Sequence, residues 1–301
     1  MQYSIVIPTY NRPFHLKACL ASIAEMDTAG ISFEVLIADD GSDYCVKSLA
    51  ESVDCAFPVS VARGQHGGVS AARNLGAEHA RGTFLIFLDD DCRPSRNWLR
   101  KIDTWTDRFP DSLIGGRLRN GLKDNICSVT AQLILDMVYR RSNRGRRSAR
   151  FLAGANWVMK RSAYLELGGC DTEFPPYGAE DREFCDRWLA SGRAMHFAED
   201  ASVEHHHTLN IRSFANMYYC YGRGAYVYHM QRRQNGLSGM FDKFLFYAHV
   251  PTLLSPVSRV KGLSRKAKVC LLMGLWQLAN IYGYLREAAR WRYGNPRSSS
   301  G

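Results

Sequence analysis

Along the first half of the chain the apolar positions switch repeatedly between a continuous pattern and a helical one. "YSIVIPTY" (3–10) is apolar and β-rich, and "PFHLKACLASIAEM" (13–26) repeats apolar residues at helical spacing. "FEVLIADD" (33–40) reads as a second strand, "VSAARNLGAEHA" (69–80) as a helix and "TFLIFLDDD" (83–91) as a third strand. This alternation predicts an α/β fold with a mostly parallel sheet flanked by helices. Further on, "ICSVTAQLILDMVYRR" is an amphipathic helix, followed by an Arg-rich loop over 140–150 and a strand-like "FLAGANWVMKR". "GAEDREFCDRWLASG" sets Phe184 and Trp188 on one helical face, and "AMHFAEDASVEHHH" is a strand. Beyond about Asn210 the strands give out, so the chain divides into 1–210, α/β, and 211–301, helical and rich in Tyr, Arg and Lys.

In parallel sheets, ligands bind where the carboxyl ends of strands converge. The first three strands end in Thr9-Tyr10-Asn11, Asp39-Asp40-Gly41-Ser42 and Asp89-Asp90-Asp91. Three adjacent carboxylates repel one another unless a cation or donors neutralise them, which points to a bound divalent metal. Oxygen ligands at an open site suit Mg²⁺ or Mn²⁺. The alternative is that Asp91 caps the helix of "PSRNWLRKI". "HGGVSAARN" (66–74) sets paired glycines before a helix, offering backbone N–H groups to an anion and Arg73 to a phosphate; its plainer reading is a helix capped by Ser70. Glu180 and Asp181 open a helix, where they favour the dipole or, at Asp181, serve as a general base. In the run His205-His206-His207, alternation puts His205 and His207 on one side and His206 on the other, and one of the pair is a candidate metal ligand.

Charge changes the picture in the last third. Residues 201–301 hold 14 Lys or Arg against 3 Asp or Glu, whereas the rest of the chain is nearly balanced at 25 against 26. An anionic partner is expected there, nucleic acid or a membrane surface. The tract Val269–Leu285 carries Gln277 and Asn280 and two glycines, too short and too interrupted to span a bilayer but suited to lying on one. The nine scattered cysteines, without C-x-x-C or zinc spacing, read as thiols of a reducing compartment, and "MQYSIVIPTYNR" does not read as a leader.

Taken in order, "SIVIPTYNR", "VLIADDGS", "HGGVSAARNLG", "FLIFLDDDC", "LAGANWVMKRSAYLELGGCD" and "GAEDREFCDRW" resemble the successive motifs of the family 2 glycosyltransferases, over residues 1–210. "VEHHHTLNIRSF" with "YYCYGRGAY" is similar to a tail found in bacterial members acting on cell-surface polysaccharides. The resemblance implies a GT-A catalytic domain over 1–210 and a basic helical C-terminal extension. It implies an inverting, metal-dependent transfer from a nucleoside-diphosphate sugar, a UDP-sugar, to the hydroxyl of a saccharide or lipid-linked acceptor. On the same ground Thr9, Asn11, Asp39, Asp40, Arg73, Asp89, Asp90 and Glu180 would bind the nucleotide sugar, with Asp39 at the base and Asp89 toward the ribose. Asp91 and Asp89 form the D-x-D, with Asp91 the direct ligand of Mn²⁺ or Mg²⁺. Asp181 is the catalytic base, and His205 the histidine beside metal and diphosphate. A third consecutive histidine, where the family often has proline, leaves His205 and His207 both open as ligands.

Two other classes compete. A metal-dependent nucleotidyltransferase would share the sheet, metal and nucleotide, but would not need a separate base such as that in "GAEDREF". A nucleic-acid-binding protein fits the pI of about 9.2, but no recognisable module accompanies it, and no nucleic-acid partner is expected. The location expected is cytoplasmic, peripheral on the inner face of the membrane.

Overall fold

The computed structural model describes residues 1–143, 149–175, 178–234 and 255–294, so residues 144–148 of the Arg-rich loop lie outside the described residues. Two compact units divide the chain. The first takes 1–121, 139–172 and 181–207; the second takes 122–138, 173–180 and 208–301.

The first unit is built on a sheet of eight strands in the order β3-β2-β1-β4-β7-β6-β8-β5. Strands β1 (Tyr3–Thr9) and β2 (Phe33–Asp39) are buried at every position, as continuous apolar runs covered on both faces must be. β1 lies parallel to β2 and to β4 (Phe84–Leu88), and β2 parallel to β3 (Val59–Arg63). β7 (Asn156–Lys160) reverses the direction, running antiparallel to β4 and to β6 (Leu113–Asn120). β6 is parallel to β8 (Met195–His205), and the three-residue β5 (Cys92–Pro94) closes the far edge antiparallel to β8, with Cys92 opposite His205. Four of these seven pairings are parallel.

The helices of this unit are α1 (Pro13–Ala24), α2 (Val46–Glu51), α3 (Val69–His79), α4 (Trp98–Arg108), α6 (Arg161–Glu166) and most of α7 (Glu180–Ala190). Phe184 and Trp188, one helical face of α7, enter a core with Trp157, Tyr164 and Phe87, all fully buried. Phe184 packs against the rings of Trp157 and Tyr164 at 5.2 and 5.3 Å between centroids. This packing fixes α7 against the sheet.

The second unit is helical among its described residues. α5 (Ile126–Asn143) supplies its first turns, and α8 (Ile211–Gln234) and α9 (Leu263–Gly294) form its long pair, preceded by a 3₁₀ turn, Ser255–Arg259. α8 and α9 meet backbone to backbone at glycines. A Cβ on Gly222 would lie 2.0 Å from the Asn280 carbonyl oxygen, and one on Gly283 2.0 Å from that of Tyr219. Glycine costs a helix interior roughly 1 kcal/mol against alanine, and here it permits the crossing. Beside it, Phe214, Tyr218, Val269, Leu272, Met273 and Trp276 form the unit's core.

Candidate functional site

The three strand ends named from sequence come together through backbone and side-chain hydrogen bonds. Asp40 N–H bonds the Thr9 carbonyl at 2.9 Å, and Thr9 Oγ1 donates to Asp90 Oδ2 at 2.8 Å. Asp39 Oδ1 accepts from Ser42 N–H at 2.8 Å and its Oδ2 from Arg63 Nη1 at 3.0 Å. Asn11, at φ 53°, exchanges two hydrogen bonds with Asp43, its amide donating and its carbonyl accepting. Asparagine tolerates this left-handed conformation better than most residues.

The glycine pair does present its N–H groups to an anion, and that anion belongs to the protein. Gly67 and Gly68 donate to the two oxygens of Asp40 at 2.8 and 2.9 Å, with His66 Nδ1 at 2.8 Å from Oδ2. The Ser70 cap is not formed: Gly68 is the N-cap of α3 and Ser70 is buried inside the first turn.

The triplet splits three ways after β4. Asp89 remains partly exposed and pairs with the buried Arg73, whose Nη2 is 3.1 Å from Oδ1. Arg73 also lies 5.9 Å from the Trp157 ring centre. Asp90 and Asp91 are buried, and Arg12 bridges them with one nitrogen 2.7 Å from each. Burial, with Asp91 and Asp89 adding to it, pushes the Asp90 carboxyl up to about 7 against Arg12 and the Thr9 hydroxyl. Burial works the same way on Asp91, but His205, Arg12 and His207 overcome it and hold that carboxyl well below the usual range. The capping alternative for Asp91 fails, since α4 begins at Trp98 after Asn97 and Asp91 sits in the turn closed by Cys92 N–H on the Asp89 carbonyl.

On β8, His205 Nε2 stands 3.1 Å from Asp91 Oδ1. The His207 ring lies 5.1 Å from that of His205, and burial brings its pKa down to about 4, so it is neutral at pH 7. His206 turns the other way, filling the space a side chain at Gly121 would need.

A divalent metal fits this set. Asp91 Oδ1 is buried and makes no hydrogen bond of good geometry, while a carboxylate oxygen of Asp91, a ring nitrogen of His205 and Cys92 Sγ lie within 4.8 Å of one another. Burial holds the Cys92 thiol protonated, leaving an oxygen and an imidazole nitrogen as the donors, a pair suited to Mn²⁺ or Mg²⁺. Asp91 can serve Arg12 with one oxygen and a metal with the other.

Asp181 is half-buried at the start of α7, its Oδ1 accepting from Arg182 N–H at 2.8 Å. Glu180 is buried in the second unit, where its Oε2 accepts from Gly178 N–H at 2.8 Å. Sequence reasoning passed over Arg12, His66 and Arg63. The signal for Arg12 was available: three buried or half-buried carboxylates demand a cation, and Arg12 follows the β1 strand end directly.

The profile of the family described as "Glycosyl transferase family 2" matches residues 4–168, and one described as "N-terminal domain of galactosyltransferase" matches residues 137–222. Chondroitin synthase of Escherichia coli is 26% identical over 235 residues, covering 67% of this chain and 34% of that one. The chain spans less than half the length of the curated relatives it matches. Among solved structures, the mannosyltransferase PcManGT of Pyrobaculum calidifontis, in complex with GDP-Man and Mn²⁺, has a TM-score of 0.64 at 15% identity, over 97% of this chain and 87% of that one. Residues 1–349 of S. aureus TarS, in complex with UDP-GlcNAc, give 0.54 at 16% identity, over 98% and 93%. The shared architecture is the GT-A fold.

Proposed function

Because the chain belongs to glycosyl transferase family 2 and has the GT-A fold, we propose that it transfers a sugar from a nucleoside-diphosphate sugar, a UDP-sugar, to a hydroxyl acceptor with inversion. The acceptor is a saccharide or lipid-linked chain of surface polysaccharide or glycolipid synthesis, and the catalytic domain is residues 1–210. The observation that carries this reading is the Asp91–His205 pair beside two further acidic strand ends, a cation-ready centre at the sheet edge where nucleotides bind.

In this reading Thr9, Asn11, Asp39 and Asp40 shape the nucleoside end, with Asp39 toward the base. Asp89 serves the ribose, held in place by Arg73, and Asp90 braces the turn through Thr9 and Arg12. Asp91 with His205, and His207 beside them, would hold Mn²⁺ or Mg²⁺, which supplies positive charge to offset that developing on the leaving diphosphate. Asp181 accepts the acceptor hydroxyl proton as the new glycosidic bond forms and the bond to the diphosphate breaks. The helix start favours a negative charge at this position, and a bound acceptor would desolvate it. Glu180 fixes the turn that delivers Asp181. Two neighbours of this fold are described in complex with nucleotide sugars, one of them with Mn²⁺, which supports the donor class.

The test is a panel of nucleotide sugars with Mn²⁺ or Mg²⁺, reading nucleoside diphosphate release and thermal stabilisation. One UDP-sugar should stabilise the protein in a metal-dependent way and turn over. Turnover unchanged in EDTA would remove the metal from the scheme.

A further inference from the structure

Helix α9 carries two apolar stripes, and among the described residues only one is covered. Val269, Leu272, Met273 and Trp276 are buried in the core of the second unit. On the other side Leu271, Leu278, Tyr282 and Leu285 recur at spacings of seven, four and three, a single helical face, and these side chains are 61–74% exposed. Leu263, 86% exposed, and Ile281, 53% exposed, extend and widen the stripe. From Leu263 to Leu285 it runs about 33 Å at 1.5 Å per residue. A helix apolar on both sides normally has both covered. Among the described residues no helix is long and apolar enough to cross a membrane.

The charges around the stripe are of one sign. The sole acid on α8 and α9 is Glu287, which is buried and paired with Arg223 at 2.7 Å. Lys266 and Lys268 stand at one end of the stripe, and Arg286 and Arg292 at the other. A second copy of this helix, laid parallel or antiparallel, would set like charges opposite one another at both ends. Alongside lies an open groove of about 700 Å³ that includes Arg212, Arg286, Tyr219 and Tyr282, with no acidic residue in its lining. Tyr282 thus belongs both to the apolar stripe and to a groove that suits an anionic headgroup.

We infer that the outer face of α9, with the Arg212–Arg286 groove beside it, docks on the surface of an anionic phospholipid bilayer. The apolar stripe lies at the acyl boundary and the basic ends and groove take the phosphate layer, as in an interfacial amphipathic helix. This binding stands apart from the transferase reading, and either can fail without the other.

The experiment is co-sedimentation of the full chain with vesicles of phosphatidylglycerol and phosphatidylcholine, or of phosphatidylcholine alone. The chain should pellet with the mixed vesicles and much less with the neutral ones, and 0.5 M salt should weaken the binding. The pair Leu278→Asp with Leu285→Asp should lower partitioning at least tenfold while circular dichroism and the melting temperature stay those of the parent. Arg212→Glu with Arg286→Glu, whose side chains are exposed and outside any core, should remove the preference for the anionic lipid. Parent protein that stays in the supernatant with both vesicles overturns the inference. So does an unchanged double-leucine variant, or a parent dimer that this variant dissociates with no vesicle binding by either.

Discussion

The sheet edge and the α8–α9 pair handle charge in opposite ways. At the edge, carboxylates face inward and each meets a partner: Asp39 has Arg63, Asp40 has two backbone N–H groups, Asp89 has Arg73, and Asp90 and Asp91 share Arg12. On α8 and α9 ten Lys or Arg accompany a single acid, and that acid is the buried one. The first arrangement concentrates charge where its energetic effect is large, because burial strengthens every interaction within it. The second spreads charge in water, where each contact is weak and screened, and works only against an extended anionic partner. In the two readings proposed above, the first region takes a compact ligand group and the second a surface.

The largest effect should come from cutting the inward network. Asp91→Ala removes the proposed metal donor and leaves Arg12 and His205 without their shared counter-charge, so metal-dependent turnover and the Mn²⁺-induced thermal shift should both vanish. A retained shift would detach the metal from Asp91. Next, Asp181→Asn should keep donor binding by calorimetry and lose transfer by about 10²–10⁴-fold, the usual contribution of a general base. Transfer near the parent rate would reduce Asp181 to a helix-start residue.

On the helical side, Gly283→Val forces a side chain into the Tyr219 backbone, and overpacking of this kind costs about 1–3 kcal/mol. Urea unfolding should register it, with donor binding by the folded protein left intact. The smallest effect tests a carboxylate far from the candidate site. Glu34, buried, accepts from Ser4, from Arg81 N–H and from the Arg81 side chain. Burial alone would raise its pKa, but those donors outweigh it and bring it below the ordinary value. Its stabilising effect is therefore present above the unfolded-state pKa, near 4.3, and is lost as pH falls through the lower folded value. Glu34→Gln should cost about 1–3 kcal/mol at pH 7 and progressively less toward pH 3, read from urea midpoints.

The strands that sequence reading found are those with a continuous apolar run or a long alternation, β7 within "FLAGANWVMKR" among them. β1, β2, β4 and β8 announced themselves by apolar runs or alternation, and their ends located the acidic cluster. β6 did not, because Gly115 and Gly116 interrupt its pattern. A Cβ at Gly116 would come 2.1 Å from the Asn156 amide nitrogen, so close packing against β7 removes the side chain that would have signalled a strand. β3 is half-exposed and β5 has three residues, too little for periodicity to register. At the site, residue types at strand ends were legible, but which groups neutralise them was not. That Gly67 and Gly68 serve Asp40, and that Arg12 joins Asp90 to Asp91, depends on loops whose course no local pattern dictates.

The pairing of Cys92 with His205 gives a very short strand a disproportionate influence. Side chains on β5 alternate as those on β8 do, so shifting β5 by one residue against β8, which β6 holds in place, would turn Asp91 from the face of His205 and His207 toward that of His206. An extra residue between Asp91 and Cys92 would thus set Asp91 toward His206 without altering a single histidine. Which imidazole meets Asp91 is encoded in a spacing, and changes of length before Cys92 should be tolerated less than changes of residue.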